Sequence, residues 1–379
     1  QNRYACRMSE SLKPFSRGDV FVGATELNDP LDDHAGRGRI IQYDKNLKQK
    51  AVLWLGATSH LVSGLNFDAR GVLWAFDSHA FVVLNIHPDG RVQIRDELPT
   101  RAFSNVAFAK DGSFLLGEHL AGDAVRPEVA ARMKTKIAFF PGGDRFGDGH
   151  VWRFSADGKL LREYATQAQG GMAGFMGVTH SALSQDGRTL VYCSETGPRL
   201  MRYDLVNDRQ LPDLQAFQPP FQGPPEMFFG MAYGPDGALY VLRGGRIDVV
   251  TGRGETVRSI PLEGFGWATL AITADGRFAY AGSFFTGQVV SVSGTWMQNV
   301  AKVSVTTGAV VHSASTGQAR ALAGIAVFAG KKRTPRKKRV AGKKQAAGKK
   351  RAVGKKRAVG KKKTVRRAAQ KVTRRRVRR

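Results

Sequence analysis

The pattern of apolar and polar residues between His180 and Asp204 predicts three short β-strands joined by tight turns. Apolar side chains alternate up to Leu183, and a polar Gln-Asp-Gly-Arg segment then interrupts them. A β-rich segment, Thr189–Cys193, follows, and after a second polar break residues 199–203 alternate again. Alternation of this kind indicates a strand with two different faces. Asp-Gly between two such runs is typical of a tight turn, because Asp can bond its own downstream backbone and Gly accepts a positive φ.

Four other segments of the chain share this strand-turn-strand pattern. Successive turn glycines are separated by 41, 75, 50 and 39 residues. A repeat of about 40 residues with several strands is typical of a β-propeller blade, since one small sheet needs neighbours on both sides to bury its faces. The one long spacing predicts an insertion. The five turn glycines are Gly71, Gly112, Gly187, Gly237 and Gly276.

The N-terminal blade lacks an innermost strand in its own sequence. The segment Asp19–Ala24 resembles the second strand of the later blades, but no strand with an Asp-Gly turn precedes it. The segment Leu322–Phe328 resembles the innermost strands of those blades. We therefore predict an all-β fold, a six-bladed β-propeller in which the C-terminal strand pairs with the N-terminal blade and protects its edge.

These patterns divide the chain into three parts. Residues 1–17 are predicted to form an N-terminal arm on the surface, residues 18–330 the propeller, and residues 331–379 a disordered basic tail. Within the third blade, residues 121–149 are predicted to form an insertion with a short helix over Pro127–Met133, because proline fits the first turn of a helix. No apolar run approaches the length of a membrane-spanning helix, and both cysteines are expected to be free thiols.

Charge is distributed unevenly along the 379 residues, whose net charge is +28. Residues 331–379 contain 26 of the 59 Lys and Arg and none of the 31 Asp and Glu, so the first 330 residues carry 33 basic and 31 acidic side chains. A six-residue repeat, AGKKQA, AGKKRA, VGKKRA and VGKKKT, runs to Thr364. With no acid and no aromatic residue, this segment buries too little apolar surface to offset its conformational entropy.

The composition of the basic tail predicts a polyanionic partner. Its side chains would release counterions from a phosphate backbone without reading the bases, so binding to nucleic acid is expected to be independent of sequence. Polyphosphate, acidic protein and anionic lipid are alternative partners. The tail resembles the linker-histone-like Lys/Ala tails of some bacterial proteins. The residues expected to bind polyanions are Lys343, Lys344, Lys349, Lys350, Lys355, Lys356, Lys361, Lys362, Arg374, Arg375 and Arg376.

Several polar residues are predicted to lie at one end of the propeller channel. In propellers, the loops that enter the innermost strand and those between the second and third strands share one end. His180 or His119 is therefore a candidate general base beside Glu118 or Glu195. The alternative is that these residues cap strand ends, because propeller mouths are polar. The candidate ligand-binding face as a whole is Asp77, His79, Glu118, His119, His180, Glu195 and Arg243.

Three segments carry a resemblance to a known family. NVAFAKDG, HSALSQDGRTLVYCSETGPRLMRYDL and GMAYGPDGALYVL resemble blades of the regucalcin/gluconolactonase family and its strictosidine-synthase-like and NHL-repeat relatives, which are six-bladed in their common form. The resemblance implies a divalent metal bound on the propeller axis by one Glu and several Asn or Asp side chains, located eight residues before the turn glycines. Those positions hold Ser104, Thr179 and Phe229 here. Asn105 lies one residue further along, which turns it to the opposite face of a regular strand unless a bulge intervenes.

Two functions remain open from the sequence. The first is a non-enzymatic binding or scaffolding propeller held on nucleic acid or another polyanion by its tail, with an unknown small molecule or protein at the propeller face and no cofactor. The second is a lactonase- or esterase-like hydrolase with a diverged pocket, for which calcium would be the cofactor. Because a hard cation needs several converging oxygen ligands, no metal residues are predicted. We expect a monomer located in the cytoplasm in association with the nucleoid.

Overall fold

A computed structural model describes eleven stretches of the chain. Within them the chain forms strands and turns, and no helix occurs. The predicted helix at 127–133 and the basic tail lie outside the described residues. The described stretches are 11–27, 36–55, 63–78, 81–118, 149–167, 177–194, 197–217, 227–262, 266–283, 300–317 and 322–330.

The described residues contain 24 strands in six antiparallel sheets of four, which confirms the predicted six-bladed propeller. Blade 1 contains β24 (Leu322–Val327), β1 (Val20–Leu27), β2 (Gly36–Tyr43) and β3 (Gln49–Trp54). Blade 2 contains β4 (Ser63–Phe67), β5 (Leu73–Asp77), β6 (Val82–Ile86) and β7 (Val92–Ile94). Blade 3 contains β8 (Phe103–Phe108), β9 (Phe114–Glu118), β10 (Val151–Phe154) and β11 (Leu160–Tyr164).

In the remaining three blades, neighbouring strands of each sheet are also consecutive along the chain. Blade 4 contains β12 (His180–Leu183), β13 (Thr189–Cys193), β14 (Arg199–Asp204) and β15 (Arg209–Ala216). Blade 5 contains β16 (Met231–Tyr233), β17 (Leu239–Leu242), β18 (Arg246–Val250) and β19 (Thr256–Pro261). Blade 6 contains β20 (Trp267–Ile272), β21 (Phe278–Ser283), β22 (Val300–Ser304) and β23 (Val310–Ala314).

The five predicted turns join the first and second strands of blades 2 to 6. Each turn glycine has a positive φ, between 69° and 86°, which side chains with a Cβ adopt at a cost. The aspartate of the turn fixes the backbone, as in blade 3, where Asp111 Oδ1 accepts a hydrogen bond from the amide of Ser113 at 2.9 Å. The Asp-Gly pairs therefore have a structural role.

The ring closes in the way that the sequence predicts. Strand β24 pairs antiparallel with β1, so that Val327 lies opposite Val20 and Ile325 opposite Val22. Beyond the strand, the amide of Phe328 donates to the carbonyl of Asp19 at 2.8 Å. The innermost strand of blade 1 thus comes from the other end of the described chain.

The core lies between the blades. Among the described residues, buried apolar side chains form six clusters, one at each junction of neighbouring blades. Successive residues of a strand face opposite neighbours: Val106 packs in the same cluster as Trp74 of blade 2, whereas Ala107 packs with Leu190 of blade 4. The period-two pattern of the sequence therefore reflects burial on both faces of each sheet.

Part of the predicted N-terminal arm packs against the propeller. Leu12 is buried, and the ring of Phe15 lies 4.5 Å from that of Phe21 and 5.6 Å from that of Phe328. The amide of Phe15 donates to the carbonyl of Pro88 at 2.9 Å. Residues 11–17 thus attach at the junction of blades 1 and 2.

Two smaller predictions concern the cysteines and membrane spans. Cys193 is a buried free thiol, as predicted, and Cys6 lies outside the described residues. In the described ranges, no helix has the length and apolar character needed to cross a membrane.

Candidate functional site

The described residues of the predicted ligand-binding face lie at the strand ends where the sequence predicts them. Asp77 ends β5, Glu118 ends β9 and Arg243 follows β17, so each leads into a loop between the second and third strands of its blade. His180 begins β12 and lies at the same end of the propeller. His79, His119 and Glu195 lie outside the described residues.

Glu118 is an internal ion-pair partner. Its side chain is fully buried, and Oε1 accepts a hydrogen bond from Nε of Arg101. Oε2 accepts a second one from the amide of His150 at 3.2 Å. The Arg101 guanidinium also lies 4.2 Å from the ring centroid of Trp152, a cation–π distance. Glu118 therefore links the end of β9 to Arg101, which precedes β8, and to His150, which precedes β10.

Arg243 is also buried and fully engaged. Its Nε donates to the carbonyl of Met227 at 3.0 Å, and Nη1 lies 3.4 Å from Oδ2 of Asp248. The guanidinium lies 4.3 Å from the ring centroid of Phe217 and 4.4 Å from that of Phe228. These contacts tie blade 5 to the end of blade 4. Asp77 is buried as well, with 1% of its surface exposed.

A central channel runs between the innermost strands. Strands β4, β8, β12, β16, β20 and β24 contact one another in a ring and enclose about 410 Å³. Each strand contributes one residue at the start of the channel, and five of these lie seven residues before a turn glycine. The ring of six consists of Gly64, Asn105, His180, Gly230, Thr269 and Gly324.

The three glycines of this ring allow the innermost strands to approach closely. A Cβ at Gly64 would lie 1.9 Å from the carbonyl oxygen of Ser104, and a Cβ at Gly230 would lie 2.7 Å from that of Ala268. The polar members of the ring are His180, which is half-buried, and Asn105 and Thr269, which are buried. Oγ1 of Thr269 is buried without a hydrogen-bond partner among the described residues. Among the described candidates for catalysis, His180 lines this channel and Glu118 does not.

A bulge places Asn105 on the channel. Phe103 pairs with Glu118 and Asn105 with Gly117, so Ser104 is the extra residue. The Asn105 amide group donates to the carbonyl of Val178 at 2.7 Å, and its Oδ1 accepts a hydrogen bond from Oγ of Ser181. Sequence alone could not locate this bulge, because nothing in the local pattern distinguishes it from a regular strand.

The side chains at the family's metal positions do not fit a divalent cation. Oγ of Ser104 donates to the carbonyl of Val178 at 2.9 Å, and Oγ1 of Thr179 donates to that of Cys193 at 3.1 Å. Phe229 is an apolar core residue. Across the described ranges, no group of three or more His, Cys, Asp or Glu side chains is arranged to hold a metal ion. We therefore derive no metal-dependent step.

A second concavity lies between blades 6 and 1, at the end of the propeller opposite to Glu118 and Arg243. It encloses about 310 Å³ and is lined by the basic residues Arg17, Lys45, Arg277 and Lys302. The sequence alone does not reveal this group, since its members come from four distant segments. The signal that was available is Lys302, a lysine among the buried apolar residues Val300, Ala301 and Val303 of strand β22.

Neither a protein-family model nor a curated protein matches the sequence. Among solved structures, a protein of unknown function from Bacteroides caccae is 12% identical, covers 83% of this chain and 99% of its own, and has a TM-score of 0.51. A gluconolactonase from Xanthomonas campestris is 13% identical over 74% of this chain and 88% of its own, with a TM-score of 0.45.

A third structure matches a shorter part of the chain. Kuenenia stuttgartiensis hydrazine synthase is 19% identical over 55% of this chain, with a TM-score of 0.37. The match spans about half of that protein, 47% of its chain. At 12% identity, the likeness to the Bacteroides caccae structure concerns the fold alone.

Proposed function

We propose that this protein is a non-enzymatic binding or scaffolding propeller that its basic tail holds on nucleic acid. The observation that carries the proposal is the separation of charge along the chain. The tail has 26 basic and no acidic side chains in 49 residues, whereas the preceding 330 residues are nearly balanced. A polycation of this length neutralises several phosphates at once and binds DNA or RNA through counterion release.

The rim of the propeller supports the non-enzymatic part of the proposal. The carboxylate of Glu118 and the guanidinium of Arg243 are each committed to internal partners, Arg101 and Asp248. A general base needs access to a substrate proton, and the fully buried carboxylate of Glu118 lacks it. A monomer associated with the nucleoid is part of this proposal.

The test is a titration of labelled duplex DNA of unrelated sequences, followed by fluorescence anisotropy at 0.1 M salt. A tail variant, K343Q/K349Q/K355Q, is compared with a propeller variant, K48Q/K110Q/K159Q, which removes three exposed lysines from blade turns. The tail variant should bind all sequences at least tenfold more weakly, and the propeller variant should bind like the wild type. Equal losses in the two variants would contradict a role for the tail.

The channel supports a second candidate function, a lactonase- or esterase-like hydrolase with His180 as general base. The observation in its favour is the position of half-buried His180 in a channel of about 410 Å³ that Thr269 also lines. Hydrolysis of short lactones and of p-nitrophenyl acetate should then fall at least tenfold in H180A and stay unchanged in H312A, which alters an exposed histidine of β23. Equal rates in both variants would exclude this candidate.

A further inference from the structure

The concavity between blades 6 and 1 combines positive charge with an aromatic wall. We call it the closure pocket; the lining residues that bear on its chemistry are Arg17, Lys45, Asp275, Phe278, Tyr280 and Lys302. It lies at the turn end of the propeller, because it includes both the β2–β3 turn and the Asp-Gly turn of blade 6. The closure pocket is therefore remote from the rim that carries Glu118.

Lys302 is the most buried cation of the closure pocket. Only 8% of its surface is exposed, and Nζ donates one hydrogen bond, to the carbonyl oxygen of Lys45 at 2.9 Å. The ammonium also lies 4.4 Å from the ring centroid of Phe278. Burial, and then the charge of Lys45, lower the pKa of Lys302 below its usual value. An ammonium has three donors, so a neutral carbonyl leaves this cation undercompensated.

The acids near Lys302 are already engaged. Asp275 accepts hydrogen bonds from the hydroxyl of Thr273 at 2.6 Å and from Nε of Arg277 at 2.8 Å. Asp44 accepts two backbone hydrogen bonds in its own turn, from the amides of residues 46 and 48. Within the described residues, no acid forms an ion pair with Arg17, Lys45 or Lys302. Three cationic groups thus face one pocket without a direct ion-pair partner among the described residues, and the charges of Asp275 and Asp44 act on Lys302 only from a distance.

We propose that the closure pocket binds the phosphate group of a small organic phosphate monoester. Lys302 anchors the phosphate from the pocket wall, and the exposed side chains of Arg17 and Lys45 approach it from the rim. Phe278 and Tyr280 contact the organic part. A dianionic phosphate matches three cations better than a carboxylate does, and lysine is a common point-charge ligand for phosphate.

The size of the pocket favours a small molecule over a nucleic-acid backbone. A volume of about 310 Å³ is at the lower end of the range for small-ligand sites. A phosphodiester in a continuous chain lies on a surface, whereas a terminal phosphate can project to a lysine that is 8% exposed. The proposal does not depend on the basic tail.

The test is isothermal titration calorimetry of the full chain with phenyl phosphate in 0.15 M sodium chloride. K302M keeps the length and apolar stem of the side chain. K110M is the control, because it removes an exposed lysine from the turn of blade 3 that corresponds to the Asp-Gly turn of blade 6. K302M should weaken binding at least tenfold, and K110M should stay within twofold of the wild type. Equal affinities of K302M and K110M, or no saturable binding by the wild type, would overturn the proposal.

A second variant keeps the test decisive if K302M fails to fold. R17Q/K45Q changes two exposed side chains and keeps the Lys45 carbonyl, so the junction between blades remains intact. It should weaken phenyl phosphate binding at least threefold at an unchanged melting temperature. Wild-type affinity in this variant would contradict the assignment of Arg17 and Lys45 to phosphate binding.

Further ligands distinguish the possible sources of the phosphate. Inorganic phosphate and benzoate should each bind at least fivefold more weakly than phenyl phosphate; equal affinity of any of them would remove the organic phosphate assignment. A short oligonucleotide should lose affinity in K302M only when it carries a 5′-phosphate, because only a terminal phosphate can reach Lys302. K343Q/K349Q/K355Q should bind phenyl phosphate like the wild type, so failure of the tail proposal and failure of the pocket proposal give different results.

Discussion

Lys302 on blade 6 donates a hydrogen bond to the carbonyl oxygen of Lys45 on blade 1 over 2.9 Å. The hydroxyl of Tyr280 donates to the same oxygen, also over 2.9 Å. The pairing of β24 with β1 lies within blade 1, so other contacts join blades 6 and 1, among them an apolar cluster that includes Tyr280 and these two hydrogen bonds. This carbonyl in the β2–β3 turn is thus a point at which the last blade holds the first.

Y280F should destabilise the propeller by removing one of these two hydrogen bonds. A hydrogen bond of this kind contributes about 0.5–1.5 kcal/mol, and the corresponding loss for a domain of this size is about 1–3 °C in melting temperature. Y233F is the matched control, because the hydroxyl of Tyr233 makes no hydrogen bond to a described residue. A melting temperature that falls equally in both variants would show that the Lys45 carbonyl does not matter for closure.

Removal of β24 should abolish the cooperative unfolding of the propeller. A chain that ends at Thr316 lacks the strand that pairs with β1 and leaves the inner edge of blade 1 and the apolar junctions on either side exposed. A chain that ends at Gly330 keeps all six sheets. Thermal unfolding followed by circular dichroism should show a sharp transition for the longer chain and none for the shorter. Similar sharp transitions in both would mean that β24 is not required for closure.

E118Q should lower stability strongly, because it breaks a buried ion pair. The change leaves Arg101 without its charge partner beside Trp152, and the expected loss is about 2–4 kcal/mol, since the arginine keeps partial exposure to water. E255Q, which alters an exposed glutamate, should melt like the wild type. Calorimetry of the two variants checks this. Wild-type stability of E118Q would argue against the structural role of Glu118 and reopen its role as a site residue.

D275N should change how stability depends on pH. Hydrogen bonds from the Thr273 hydroxyl and from Arg277 lower the pKa of Asp275 from 3.8 to about 2. The folded state therefore favours the ionised form, and the resulting stabilisation is complete above about pH 4 and is lost as the pH falls towards 2. After discounting for solvent screening, it amounts to about 0.5–1 kcal/mol. The difference in melting temperature between wild type and D275N should narrow as the pH falls from about 4 to about 2. A constant difference would contradict the lowered pKa of Asp275.

Sequence patterns predicted the propeller because its determinants are local. The five glycine turns, four of them Asp-Gly, and the alternation of each strand are visible within about 15 residues, and the incomplete first blade pointed to the segment ending at Phe328. The site was less predictable because its determinants are pairings between distant residues. Glu118 looked available until the structure placed Arg101 against it, and Asn105 reached the channel through a bulge at Ser104. Arg17, Lys45 and Lys302 meet because the ring closes.

The salt dependence of DNA binding tests the central claim most directly. The affinity of the full chain for a mixed-sequence duplex is measured from 50 to 200 mM sodium chloride beside a chain that ends at Gly330. Because each phosphate contact adds about 0.9 to the slope of log K against log salt, six or more tail contacts predict a loss of about a thousandfold or more over this range. The account predicts this steep loss for the full chain and no comparable binding for the shorter one. Equal binding by the two chains would contradict it and place the nucleic-acid site on the propeller.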